Sequence, residues 1–116
     1  MKRPTAFLEL ESFALNNNAE GDFNTANGAF ALQVNTMGER NTATGDSAMF
    51  SNTTGSRNTS TGNGALGFNT TGNDNTAIGN AALGLNTTGT DKTAISSSVC
   101  PREPIYFRDR SEVFYD

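Results

Sequence analysis

The chain has 116 residues, a formal net charge of −4 from 8 Lys+Arg against 12 Asp+Glu, and only 34% hydrophobic residues with no Trp. The acidic balance excludes the clustered basic face that nucleic-acid binding requires, and the apolar content is too low for a thick globular core. The longest apolar runs are a few residues, against the roughly 20 that a spanning helix needs, so no membrane span is expected.

Residues 1–6 are a lead-in carrying Lys2, Arg3 and Pro4. Pro4, Glu9 and Glu11 interrupt any apolar stretch, which makes the start a poor signal peptide. From Phe7 onward a period of 17 residues takes over, in copies spanning 7–23, 24–40, 41–57, 58–74 and 75–91, with a partial sixth beginning at Lys92. The template is N-T-A-x-G-x-x-A-L-x-x-N-T-T-G-x-x. The first copy keeps Phe13, Ala14, Leu15, Asn18 and Gly21 but opens on FLELE, the irregular character expected of a terminal coil. A composition rich in Asn, Thr, Gly and Ser also suits disorder, but disordered low-complexity chains do not hold apolar residues at fixed phases.

A fixed short period means stacked units that contact only their neighbours. Seventeen residues are about half of what a two-helix repeat needs, and Gly at two phases with Thr beside it disfavours helix in every copy. The expected fold is therefore all-β: a parallel β-solenoid, or β-roll, of 17-residue coils spaced about 4.8 Å apart. The glycine columns Gly28, Gly45, Gly62, Gly79 and Gly21, Gly38, Gly55, Gly72, Gly89 suit corners at positive φ. Asn18, Asn35, Asn52, Asn69 and Asn86 form one column, and Asn24, Asn41, Asn58 and Asn75 another. Stacked amides hydrogen-bond along such ladders.

Each copy suggests two strands. In the NTAxG strand, Ala26, Ala43, Ser60, Ala77 and Ala94 make a column of small residues. In a second, central strand, Phe30, Leu32 and Val34 stand two apart, as do Leu66 and Phe68 or Leu83 and Leu85, and so share one face. Met49 keeps that phase, and Ala31, Ala48, Ala65 and Ala82 take the other face. The expected core is thus Leu32, Met49, Leu66, Leu83, Phe68 and Leu85, serving either as the main core or as a seam against a neighbouring subunit.

Residues 96–116 differ in composition. After a polar joint, CPREPIYFRDRSEVFYD holds two prolines, seven charged residues and four aromatics. Ile105–Phe107 and Val113–Tyr115 read as short strands around Asp109. Tyr106, Phe107, Phe114 and Tyr115 are the candidate assembly residues of a cap or docking segment. Cys100 is the only cysteine, so it either links two chains or stays a free thiol.

No catalytic constellation is present: the chain has no His, a single Cys and no phosphate-binding glycine loop. No enzyme activity, cofactor or metal is expected, and Asp22, Asp46, Asp74 and Asp91 lack the spacing of calcium-binding nonapeptides. Arg57 and Asp74 share a phase on adjacent coils and are expected to pair at the surface. Asn52, Asn58, Asn69 and Asn86 begin Asn-x-Ser/Thr sequons, which are glycosylation candidates if the chain enters a suitable export pathway.

The run NTAIGNAAL at Asn75–Leu83, with its Gly-punctuated coils, resembles the head repeats of trimeric autotransporter adhesins. NTAxG…NTTG arrays also resemble repeat regions of bacterial and phage fibre-like proteins. The likeness covers residues 7–95. It implies a left-handed parallel β-roll, commonly trimeric, that presents a binding surface away from the cell. The expected function is a structural, self-assembling module of an extracellular or cell-surface fibre or adhesin. Its partners would be further copies of itself, joined through solenoid ends and the C-terminal segment, and a surface or matrix ligand. The alternative is an ice-binding solenoid using the threonine columns Thr25, Thr42, Thr59, Thr76, Thr93 and Thr36, Thr53, Thr70, Thr87.

Overall fold

A computed structural model describes residues 13–95. The lead-in and the segment 96–116, with Cys100 and the four tail aromatics, lie outside the described residues. Five three-residue strands stack in chain order into one parallel sheet: β1 (Thr25–Asn27), β2 (Thr42–Thr44), β3 (Thr59–Thr61), β4 (Thr76–Ile78) and β5 (Thr93–Ile95). Each residue pairs with its counterpart 17 positions on, as in Thr25↔Thr42, Thr42↔Thr59, Thr59↔Thr76 and Thr76↔Thr93. The chain is a parallel β-solenoid, and among the described residues no helix is long and apolar enough to cross a membrane.

The opposite wall is not the expected central strand. It is a ribbon of overlapping tight turns. Counting each coil from its first Asn, the carbonyls at positions 5, 7 and 9 accept from the N–H three residues on: Ala31 to Gly28, Gln33 to Phe30 and Asn35 to Leu32, at 3.2–3.3 Å. In the first two turns the third residue has positive φ, 62° at Phe30 and 53° at Leu32, as in a type II turn. The ninth position repeats this at Leu15, Met49, Leu66 and Leu83, with φ of 51–52°. Such values are uncommon for bulky side chains and cost about 1 kcal/mol or more each. They persist because the twisted backbone aims its remaining groups at the neighbouring coils. Leu32 N–H donates to Ala48 O, Met49 N–H to Ala65 O and Leu66 N–H to Ala82 O, each at 3.0 Å.

This turn geometry changes which side chains share a face. In a strand the period is two. Here positions 8 and 9 both point inward: Ala31 with Leu32, Ala48 with Met49, Ala65 with Leu66 and Ala82 with Leu83 are all buried. Positions 7 and 11 point outward. Phe68 and Leu85 are therefore 57% and 49% exposed and do not belong to the core, which corrects the expectation drawn from strand alternation. Phe30 and Val34 are likewise not on the face of Leu32. The core is a thin double layer, with Ala43, Ala77 and Ala94 of the sheet facing the Ala-Leu pairs of the ribbon.

Candidate functional site

With one wall a sheet and the other a turn ribbon, the rest of the interior is filled by asparagine. Asn35, Asn41, Asn52, Asn58, Asn69 and Asn75 are fully buried. Burial of an amide is tolerable only when its donors and acceptors are met, and here they are met by two ladders. In the twelfth-position ladder, the Nδ2 of Asn35, Asn52, Asn69 and Asn86 donates to the Oδ1 one coil back, at 2.6–2.8 Å. In the first-position ladder, the Oδ1 of Asn24, Asn41, Asn58 and Asn75 accepts the backbone N–H of the residue one coil on, at 2.9–3.0 Å. The last of these donors is Lys92, which stands in the asparagine phase of the partial sixth copy.

The ladders meet at a glycine carbonyl. Gly55 O accepts from Asn52 Nδ2 at 2.9 Å and from Asn41 Nδ2 at 2.8 Å. Gly72 O takes Asn69 and Asn58 in the same way, and Gly38 O takes Asn35 and Asn24. This explains the second glycine column, and it differs from the expected reason. Of the two columns, only Gly28, Gly45, Gly62 and Gly79 lie at positive φ, at 126–141°. At Gly55 the constraint is close approach: a Cβ there would strike Gly72 O and come within 2.5 Å of Asn52 Oδ1 and 2.9 Å of Asn69 Nδ2.

The same burial settles the sequons. Asn52, Asn58 and Asn69 have no exposed surface and their amides are bonded. A glycan cannot be carried there in the folded chain, so these three are corrected as glycosylation candidates. Asn86 is part-buried, and its Nδ2 is committed to Asn69 Oδ1 at 2.8 Å and Gly89 O at 3.1 Å.

The two threonine columns differ in kind. Thr36, Thr53 and Thr70 donate their hydroxyls to the Thr53, Thr70 and Thr87 carbonyls at 3.2 Å, so these hydroxyls hold the stack together. Thr25, Thr42 and Thr59 stand exposed on the outer face of the sheet, and Thr61 is exposed beside them. At the coil's last corner Arg57 reaches Asp74 with Nε to Oδ1 at 2.7 Å and Nη2 to Oδ2 at 2.9 Å. That two-bonded contact is the pair anticipated from the shared phase. It holds the Asp74 carboxyl below its ordinary range and raises the Arg57 guanidinium, chiefly through the hydrogen bond. One coil earlier Arg40 lies over the Phe23 ring at 5.1 Å.

Among the described residues no group of three or more His, Cys, Asp or Glu stands together as a metal site. The tail aromatics Tyr106, Phe107, Phe114 and Tyr115 lie outside the described residues. Two features escape the sequence pattern: the glycine carbonyl as a ladder node, and the outward side of the turn ribbon. The constancy of Gly21, Gly38, Gly55, Gly72 and Gly89 across all five copies was a signal for the first, since the other glycine column fails in the first copy. Comparison with known proteins found no matching family model, no matching curated protein and no matching solved structure.

Proposed function

We propose that this chain is a non-enzymatic structural repeat module that assembles with copies of itself, serving as a subunit or segment of an extracellular or cell-surface fibre of the adhesin kind. One observation carries the reading: the coil-to-coil interface is the same at every step. The sheet register, the two ladders and the ribbon hydrogen bonds recur at 17 residues without drift. The interior is thereby committed to holding the next coil. The last full coil carries the groups its predecessors use for that purpose, the Leu83 and Thr87 N–H and Asn86 Oδ1. Left open, pairing edges of this kind template further chain. The partner would be a second copy meeting an end, with residues 101–116 taking part, and the outer faces would meet a surface or matrix ligand. Negative-stain microscopy of the purified full-length chain tests this. End-to-end or lateral assemblies are expected, and a monodisperse monomer at high concentration refutes it.

One observation favours a second reading. The sheet's outer face sets Thr42 and Thr44 above Thr59 and Thr61, in ranks about 4.8 Å apart, a regular hydroxyl-and-methyl surface suited to ice. The column Thr36, Thr53, Thr70 does not add to it, because those hydroxyls are bonded within the stack. Thermal hysteresis in the full-length chain, lost on Thr59→Lys, would select this reading over the first.

A further inference from the structure

The outward side of the turn ribbon carries one large aromatic or leucine side chain in each of the five coils: Phe13, Phe30, Phe50, Phe68 and Leu85. They do not form a column. Phe13 and Phe30 hold the seventh position, Phe50 the tenth, and Phe68 and Leu85 the eleventh, so the ridge slants across the ribbon from the first coil to the last. Ring contacts trace its beginning: Phe13 stacks on Phe30 with centroids 5.6 Å apart, and Phe30 meets Phe50 edge-on at 6.4 Å. Beside the ridge the last two coils are almost bare, with Gly64, Gly67, Ala81 and Gly84 at the outward positions the ridge has left. A Cβ built on Gly64 would meet nothing within 4 Å.

We propose that this ridge is the seam between two copies of the chain, packed ribbon to ribbon about a two-fold axis. Turning one ribbon onto the other reverses the slant, so the two ridges cross once, near Phe50, and diverge on either side. One half of each ridge then lies over the bare flank of the other copy. With the copies antiparallel, Phe13 and Phe30 fall over Ala81 and Gly64; with the copies parallel, Leu85 and Phe68 do. Size agrees with a dimer. Phe13, Phe30, Phe68 and Leu85 are 53%, 36%, 57% and 49% exposed, and Phe50 adds a part-buried ring. At roughly 150–250 Å² for each aromatic side chain, the ridge offers on the order of 400–500 Å² per copy. Two facing ridges bury about 800–1,000 Å², at the lower bound of a specific interface, and an apolar patch of about 400–500 Å² is of the size that is often functional.

The inference deepens the reading of the chain as a self-assembling module and rests on it. Sedimentation of the full-length chain is expected to show a dimer. Phe68→Ser should weaken that dimer at least tenfold with an unchanged circular dichroism spectrum. Ala81→Tyr removes no apolar surface but fills the bare flank, and should weaken it similarly. The backbone tolerates an aromatic there, since Phe30 occupies the same phase at φ 62° against 61° at Ala81. With Cys100→Ser as background, Ser51→Cys lies beside the crossing point and should oxidise to a covalent dimer. A dimer indifferent to both Phe68→Ser and Ala81→Tyr overturns the seam. So does a monomer whose ridge cross-links to Tyr106 or Tyr115 of its own tail. A chain without lateral pairs that still forms end-to-end filaments overturns the seam and leaves the structural-module reading standing, whereas a monomer with neither overturns both.

Discussion

Replacing Asn58 by Leu tests the claim that the two asparagine ladders differ in kind. Asn58 donates through Nδ2 to Asn41 Oδ1 at 3.1 Å and to Gly72 O at 2.9 Å, and its Oδ1 accepts the Asn75 N–H at 2.9 Å and the Asn75 Nδ2 at 3.1 Å. Leucine is of similar size and makes none of these bonds. Most of the former partners keep a second contact. Gly72 O retains Asn69, Asn41 Oδ1 retains the backbone N–H of residue 58, and Asn75 Nδ2 retains Gly89 O. The Asn75 N–H does not, and a buried orphan N–H costs about 1–3 kcal/mol. Adding about 1 kcal/mol for each of three further lost bonds gives a loss of about 4–6 kcal/mol. That is a large share of the stability of a small domain, roughly 5–15 kcal/mol.

Asn52→Leu is the matched control. Asn52 is equally buried but its ladder joins side chain to side chain, so its removal orphans only Asn35 Oδ1, which had accepted from Asn52 Nδ2 at 2.8 Å. Gly55 O keeps Asn41, and Asn69 Nδ2 keeps Gly72 O. No backbone group is left without its partner. Urea unfolding followed by circular dichroism should show both variants destabilised, with Asn58→Leu worse by about 1–2 kcal/mol. Equal losses, or a greater loss at Asn52, would refute the distinction between a ladder that braces the backbone and one that braces only side chains.

Three further outcomes are expected. Ser60 stands where four other copies have alanine (Ala26, Ala43, Ala77 and Ala94), and its hydroxyl is buried without a partner, so Ser60→Ala should raise the midpoint of unfolding by the equivalent of about 1–2 kcal/mol. Gly55→Ala should cost about 3–5 kcal/mol through overpacking and loss of both node bonds, while Gly64→Ala, with φ 71° and open space, should stay within about 1 kcal/mol of the parent in thermal melts. The folded Asp74 carboxyl titrates below its unfolded value because of Arg57. Its contribution is therefore present above the unfolded value, near pH 4, and is lost as pH falls through the folded one. A melting series from pH 6 to pH 2 should thus flatten slightly on Asp74→Asn, the effect being small because the pair is exposed.

The stack itself was legible because a solenoid writes its period directly into the chain. Each coil must meet the next through like residues, so Asn over Asn and Thr over Thr at 17 residues fixed the strand register. The asparagine columns were legible for the same reason, since amides are self-complementary. What the period could not convey is conformation within a coil. Gly-x-x-Ala-Leu has small or apolar residues at most successive positions, which suits a strand as well as a turn ribbon, and nothing in a leucine announces φ near 52°. That value is imposed by the coil: Leu66 N–H must find Ala82 O while Gly67 N–H turns back to Gly64 O.

Once the turns are known, the outer face follows. An inward pair followed by an outward pair replaces simple alternation, and Leu66 and Phe68 part company although they stand two apart. Of the residues that sequence alternation assigned to the core, Leu32, Met49, Leu66 and Leu83 are inside, and Phe68 and Leu85 are left outside with the rest of the ridge. Their positions also vary most from coil to coil: the core keeps Leu or Met at the ninth position in every copy, while the ridge moves from the seventh to the tenth to the eleventh. A core side chain cannot move in this way without opening a cavity. A ridge can, because its place is set by what it meets outside the coil.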